Sequence, residues 1–528
     1  MLFHAEIERL QACSILPRRL VQYSMKSTVS PLKNTVYTTA AVVTGLSVFK
    51  RGLGFLYRIV LSRLIGAEGM GLYQIAYSLF AVFLTLGAGG IPVTVSRLIS
   101  KSKAERTPKA ESAAVGAGAL VALVFSLAVL VFILPIVDKS ELLLTDARAE
   151  HILNVLSIGL IFSSVYAVLK GSFFGNQRFL LPSLLELLEE SVMTIAGVLL
   201  LQNATSAYDG AVKAAWAVVI SYLFSFTAAV ISFFLGGGKV SRPQPALKPL
   251  LSSALPITSV RVGSSLVNSA ITVLLPVMLI RAGFSNDEAL KLFGVASGMA
   301  LPMLMLPATV IGSIATVLMP KMSEDFYAKR QQRLYTHLTR GLTSAFLIAT
   351  AMTPFLFLLG NQIGALAFSN ALAGELIKNG CVILLPMSLA MMTTSMLNCM
   401  GFEKQTFFFY FVGAAGMLLC ILLLPAVCGI YAYIAGFGAN FALIGICNFV
   451  FLHKKCDGFF AKHGKTLLGV AARAVGTLIV VFIIGFPLSK LCFRVFGAVG
   501  ACFVVGLCIA AVSLGAYAVF GGFRKNRT

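Results

Sequence analysis

Acidic side chains are scarce in this chain: 20 Asp and Glu stand against 42 Lys and Arg among 528 residues, and only 12% of all residues are charged. A soluble domain carries about 25% charge, so this shortfall, with 58% hydrophobic residues and a mean hydropathy of +0.90, excludes that class. Long polar segments are missing too, which leaves no room for a soluble catalytic domain on either side of a membrane. The ten cysteines lack paired spacing, and most lie inside apolar runs (Cys381, Cys399, Cys420, Cys447, Cys508), so no disulfide framework is expected. No Ser/His/Asp set or catalytic carboxylate pair marks an active site, and no motif calls for a cofactor. Gly464-Lys465-Thr466 ends like a phosphate loop, but Phe459 stands where that loop needs glycine. His453, Cys456 and His463 fall in a Lys-rich loop and are set aside as metal ligands. Residues 1–24 hold Glu6, Glu8, Arg9, Arg18 and Arg19 without a continuous apolar core. They read as an extension or a mis-assigned start before Met25, not as a secretory signal.

Apolar runs of about 18 residues or more recur throughout, and each reads as a bilayer-crossing helix. Roughly fourteen are expected, near 36–62, 72–98, 113–136, 151–173, 183–201, 212–235, 250–281, 289–319, 338–360, 376–400, 405–425, 430–452, 467–487 and 495–520. Nothing shows the short alternating strands of a barrel, so the predicted fold is an all-α polytopic membrane protein. Lys and Arg collect in the even loops, for example Lys101, Lys103, Arg106 and Lys109 in the second and Lys321, Lys329, Arg330 and Arg333 in the eighth. The positive-inside bias then puts even loops and both termini in the cytoplasm. The net charge of +22 is thereby explained without nucleic acid. A faint repeat at a shift of 220 residues sets Leu72-Tyr73-Gln74-Ile75-Ala76 over Leu292-Phe293-Gly294-Val295-Ala296. The expected organisation is an extension (1–33), a first lobe of six helices (34–240), a second (241–455), and two further helices with a tail (456–528). Lobes repeated in this way commonly bind substrate between them and rock.

Cations inside the apolar runs are the functional candidates, because a charge at the centre of a membrane helix costs about 2.5–3.5 kcal/mol on insertion scales. Arg51 and Arg58 stand seven residues apart on one face of the first helix, about 10 Å along its axis. Arg261 lies about 17 Å past the start of the seventh helix, with Asn268 two turns further on the same face. Guanidinium forks onto phosphate with paired hydrogen bonds, so Arg51 and Arg261, one from each lobe, could grip one phosphate group. Arg58 could instead snorkel to the far interface, and Arg261 could pair with a neighbouring helix. Lys50, Lys170, Lys213 and Arg473 read as packing or snorkelling residues. The fifth helix carries Glu186, Glu189 and Glu190 on one face. They could neutralise the cavity arginines or bind a coupling cation, H⁺ or Na⁺. The helix dipole with interhelical hydrogen bonds would also account for them.

Three stretches carry a resemblance. Arg51-Gly52-Leu53-Gly54-Phe55-Leu56-Tyr57-Arg58-Ile59, Leu64-Ile65-Gly66-Ala67-Glu68-Gly69-Met70-Gly71-Leu72-Tyr73-Gln74 and Gly90-Ile91-Pro92-Val93-Thr94-Val95-Ser96-Arg97 resemble the opening of the stage V sporulation protein B family of polysaccharide flippases. A second block, Gly294 to Pro302 with Leu318-Met319-Pro320-Lys321, is similar to the same family, and the likeness runs roughly from Thr35 to Leu452. It implies a place in the superfamily of MurJ lipid II flippases and MATE exporters, with two lobes around a central cavity and fourteen helices. Arg51 matches a cavity arginine of MurJ-like proteins; at the next such place stands Tyr57, with Arg58 one residue on. The acidic residue of bacterial MATE exporters has no counterpart in the first helix here. The function implied is movement of an undecaprenyl-pyrophosphate-linked saccharide, lipid II or a related wall or spore-cortex precursor, with membrane lipids as surroundings and no covalent chemistry. A cation-coupled multidrug exporter and an integral-membrane glycan polymerase are the alternatives.

Overall fold

The computed structural model describes the backbone of residues 18–455, apart from 106 and 139–145, and short helical stretches between 469 and 515; side chains are described from residue 42. The described residues are helical throughout, with no strand, as the bilayer demands of a backbone that finds no water to bond. The long helices are α1 (Arg18–Ala88), α2 (Ile91–Ala104), α3 (Pro108–Ala128), α4 (Ala147–Gly175), α5 (Leu180–Leu201), α6 (Ala207–Leu235) and α7 (Gln244–Arg281). They are followed by α8 (Asn286–Phe293), α9 (Leu306–Tyr327), α10 (Gln331–Phe368), α11 (Ala371–Gly380), α12 (Leu384–Cys399), α13 (Glu403–Leu423) and α14 (Tyr431–Lys455). Ten helical segments among the described residues are long and apolar enough to cross a membrane. The count differs from fourteen for physical reasons. The first two expected spans are two helices run together in one 62-residue segment, Val42–Lys103, and meet at a kink at Gly66, whose backbone (φ 68°, ψ −171°) lies in a region that glycine reaches without strain. α5, with 22 residues against 29 in each neighbour, is still long enough to span but carries three glutamates. Of the last two expected spans, 475–487 is described as helix, while most of the rest lies outside the described residues.

The eighth expected span is broken up. α8 passes into a wider π-helical turn, Gly294–Ala300, before the chain resumes as Leu301–Leu304 and α9. Such turns change the phase of a helix and often mark working positions. Here the turn lies against the part of α1 just past Gly66, and a side chain at Gly294 would run into the Ala67 carbonyl. Only glycine permits that approach.

The cores show how the halves meet. At the odd-loop end one continuous core joins Phe80, Phe83, Leu156 and Leu160 of the first half to Phe293, Met299, Leu304 and Met387 of the second. At the even-loop end the core divides. Ile91, Val95, Val168 and Phe173 pack with Leu250 and Ala254 of α7 on one side; Ile311, Met322, Leu338, Met396 and Leu452 pack on the other. The core is therefore single at one end and divided at the other, with the first part of α7 on the first half's side.

Candidate functional site

On the first-half side of this divided end, a cavity of about 550 Å³ is lined by Thr85, Gly89 and Pro92 around the break between α1 and α2, by Ser163 and Lys170 of α4, and by Arg261 of α7. Gly89 and Gly90 make the break, and Gly90 lets α7 come so close that a side chain there would meet the Ala254 carbonyl. Two hydrogen bonds hold the approach: Arg261 Nη1 donates to the Gly89 carbonyl at 2.7 Å, and the Gly90 N–H donates to Thr258 Oγ1 at 2.9 Å. Arg261 thus faces the cavity while bonded to the opposite half of the molecule.

Lys170, the other cavity cation, is held by Glu186. Its ammonium lies 2.6 Å from Glu186 Oε1 and 5.6 Å from the Tyr166 ring centroid, while Lys50 of α1 takes Glu186 Oε2 at 2.8 Å. The carboxylate therefore joins α1, α4 and α5. Glu190 lies against Gly54, where a side chain would collide with it, and is within electrostatic reach of Lys50 and Arg58. Glu189 is in reach of Lys170 and Lys50. Among the described residues no three of His, Cys, Asp and Glu converge as metal ligands.

The sequence candidates are distributed unequally. Arg261 lines the cavity. Arg51 is exposed and lies outside that lining; its neighbour Lys50 is the one turned to α5. Arg58 is half-buried in electrostatic reach of Tyr73 and Tyr77 and, across the molecule, of Tyr433 on α14. Asn268 accepts a hydrogen bond from Tyr410 Oη of α13 at 3.2 Å, a contact within the second half, and lies outside the cavity lining. Glu186 meets two lysines, Lys50 and Lys170, that in the sequence read as packing or snorkelling residues. Their signal was available only as three charges of opposite sign inside three apolar runs.

The closed end is held by ions that the sequence did not single out. Arg148, at the start of α4, pairs with Glu68 at 2.7 Å, Asp146 at 2.7 Å and Asp287 of the second half at 3.6 Å, and Lys291 adds a contact to Glu68 at 3.8 Å. Arg63 donates to the carbonyls of Leu366 and Ala367 in the last turn of α10, where a cation complements the helix dipole. Partial burial alone would raise the Asp146 pKa, but hydrogen bonds from the Arg148 side chain and backbone outweigh it and hold the carboxyl below its ordinary value.

Residues 32–326 match the family described as polysaccharide biosynthesis protein, more than half of the chain. The chain belongs to this family. Among relatives, it is 24% identical over 514 residues to stage V sporulation protein B of Bacillus subtilis (strain 168), covering 86% of this chain and 96% of that one. It is 22% identical over 400 residues to the lipid II flippase MurJ of the same organism, covering 69% and 72%. Among solved structures, lipid II flippase MurJ in an inward closed conformation superposes with a TM-score of 0.66 at 17% identity, covering 91% of this chain and 98% of that one. A MATE multidrug transporter of the MOP superfamily in its inward-facing conformation gives 0.65, again at 17% identity, covering 78% and 95%. The family member described here is thus a multi-pass membrane protein with the fold of MOP-superfamily transporters.

Proposed function

We propose that the protein is a flippase for a saccharide carried on a prenyl pyrophosphate, lipid II or a related precursor of wall or spore-cortex polymer, working by alternating exposure of one cavity. The observation that carries this reading is that Arg261 and Lys170, from opposite halves, line one cavity at the divided end of a molecule whose other end is shut. Two cations from opposite halves suit a diphosphate, and charge-assisted hydrogen bonds to such a group contribute about 1.5–3 kcal/mol each. The likeness to MurJ and stage V sporulation protein B supports the same substrate class. The lobes are residues 34–240 and 241–455, and the even loops and both termini face the cytoplasm, so that the cavity loads from inside.

In this scheme Arg261 leaves the Gly89 carbonyl for phosphate, and Lys170 shares its charge between Glu186 and the ligand. Arg51 and Arg58 on α1 and Asn268 on α7 contact the head group at other stages of the passage. Binding drives closure only if the closed state holds the ligand more tightly. Glu189 and Glu190 supply the protonatable pair of a coupling step, with H⁺ or Na⁺ as the driving ion. Their position in the first half is the observation that favours the exporter reading, which differs in requiring a cationic substrate.

The test is native mass spectrometry of the purified protein with added lipid II, undecaprenyl phosphate and a cationic dye. Selective retention of lipid II by the wild type, reduced about tenfold or more in Arg261→Ala at equal expression, supports the flippase. Retention of the dye alone supports the exporter.

A further inference from the structure

The outer loop between the ninth and tenth spans reads as short and bland, yet the structure builds it into a rigid helical hairpin. α10 runs to Phe368 and α11 begins at Ala371, so both helices continue past the apolar spans expected at 338–360 and 376–400. Three glycines clamp them. A side chain at Gly360 would meet the Lys378 backbone nitrogen at 2.7 Å, one at Gly374 the Asn361 Cα at 2.7 Å, and one at Gly364 the Gly374 backbone. Ser369 turns the corner at φ 52°, and Asn370 caps α11, its Oδ1 accepting from the Ala373 N–H at 2.9 Å. A connection that only crosses back into the membrane needs none of this.

Beside the clamp lies an open cleft of about 730 Å³ lined by Asn361, Ser369, Glu375, Lys378 and Asn379. The volume falls within the roughly 300–1,000 Å³ usual for small-ligand sites. A hydrogen-bonded chain stiffens one wall: Asn379 Nδ2 donates to Tyr431 Oη at 3.2 Å, and that hydroxyl donates to Glu375 Oε1 at 2.7 Å. Lys378 rests its ammonium over the Phe357 ring, 5.3 Å from the centroid. One acid and one base leave the lining near neutral, which does not suit a phosphate, whose recognition calls for a surplus of cations. The polar lining equally disfavours an apolar ligand. The amides of Asn361 and Asn379, the Ser369 hydroxyl and the Glu375 carboxylate in this lining together donate and accept, the pattern that neighbouring sugar hydroxyl and acetamido groups complement.

We propose that this cleft binds the saccharide part of the transported molecule on the outer face. The inference rests on the flippase reading. It adds a second contact, remote from the cavity cations and next to the closing device, since Ala365 lines the cleft while Leu366 and Ala367 take the Arg63 guanidinium. A glycan leaving between the halves emerges beside this wall. The cleft holds the head group while the lipid anchor joins the outer leaflet.

Saturation-transfer NMR on the full-length protein in detergent, with N,N′-diacetylchitobiose and cellobiose as soluble probes, tests the proposal. Saturable binding of at least one disaccharide is expected, weakened about tenfold or more by N361A/N379A and by Glu375→Gln, each removing hydrogen-bond partners. The same variants should still retain lipid II by native mass spectrometry, which also shows that they are folded. No saturable binding, or binding untouched by both variants, overturns the cleft. Disaccharide binding without lipid II retention in the wild type would keep the cleft and sink the transport reading; the reverse result would do the opposite.

Discussion

Glu186 has one carboxylate oxygen on each of two ammonium groups, and its side chain and both partners are about one-third exposed or less (28% for Glu186, 31% for Lys50, 27% for Lys170). Removing one member leaves poorly solvated charge behind, so Glu186→Gln and Lys170→Met should each destabilise by about 1–3 kcal/mol, less than for a fully buried pair. The double variant should cost less than the sum, a coupling that a thermal-unfolding double-mutant cycle in detergent reads directly. At the closed end, the Asp146 carboxyl is held below its ordinary value. A depressed folded-state pKa contributes stability that is fully present above the unfolded value of about 3.9 and is lost as pH falls below it. Asp146→Asn should therefore flatten the stability profile in that acid range and leave the profile near neutral pH unchanged in slope. Sequence reasoning could locate these charges but not their bearing. Neighbours on a helix point about 100° apart, so Lys50 meets α5 while Arg51 does not, and nothing in the sequence sets that phase.

Helices were legible because each needs a long apolar run and the runs are punctuated by basic loops. Their interruptions were legible only in part. The bend at Gly66 falls where the sequence breaks between the spans 36–62 and 72–98, but the π-helical turn at Gly294–Ala300 lies within an apolar stretch and leaves no hydropathy signal. They depend on contact between segments far apart in the chain, with Gly294 seated on Ala67. Gly294→Ala should force α1 and α8 apart, because its new methyl meets backbone, which cannot rotate away. Destabilisation of about 1–3 kcal/mol is expected, the usual cost of overpacking, with faster labelling of a cysteine placed at the closed end. Gly54→Ala should be milder, since Glu190 can swing its carboxylate aside. The α10–α11 hairpin was missed for a related reason: hydropathy ends at residue 360, whereas the helix persists on glycine-mediated packing.

Across the described residues, one shared core lies at the ion-paired end and two cores at the other. Opening the shut end exposes apolar surface at about 25 cal/mol per Å², so the rearrangement must bury a comparable area where the cores are now parted. Arg148→Ala should favour the opposite conformation, since it removes the hub to Glu68, Asp146 and Asp287 in one step. Accessibility of a cysteine reporter at Ala67 should rise, and raising salt from about 0.1 to 1 M should reproduce part of the rise in the wild type, because the Debye length falls from about 10 Å to 3 Å. The Arg261 bond to Gly89 has a last consequence, for what the idle carrier ignores. The guanidinium already has a neutral acceptor, so chloride or a lone inorganic phosphate must strip that acceptor away and gains no tether in the lipid. A diphosphate fixed to a membrane-anchored chain offers more charge at a high local concentration. On the proposed flippase reading, common salts of the cell would thus be turned away by a bond the protein makes to itself.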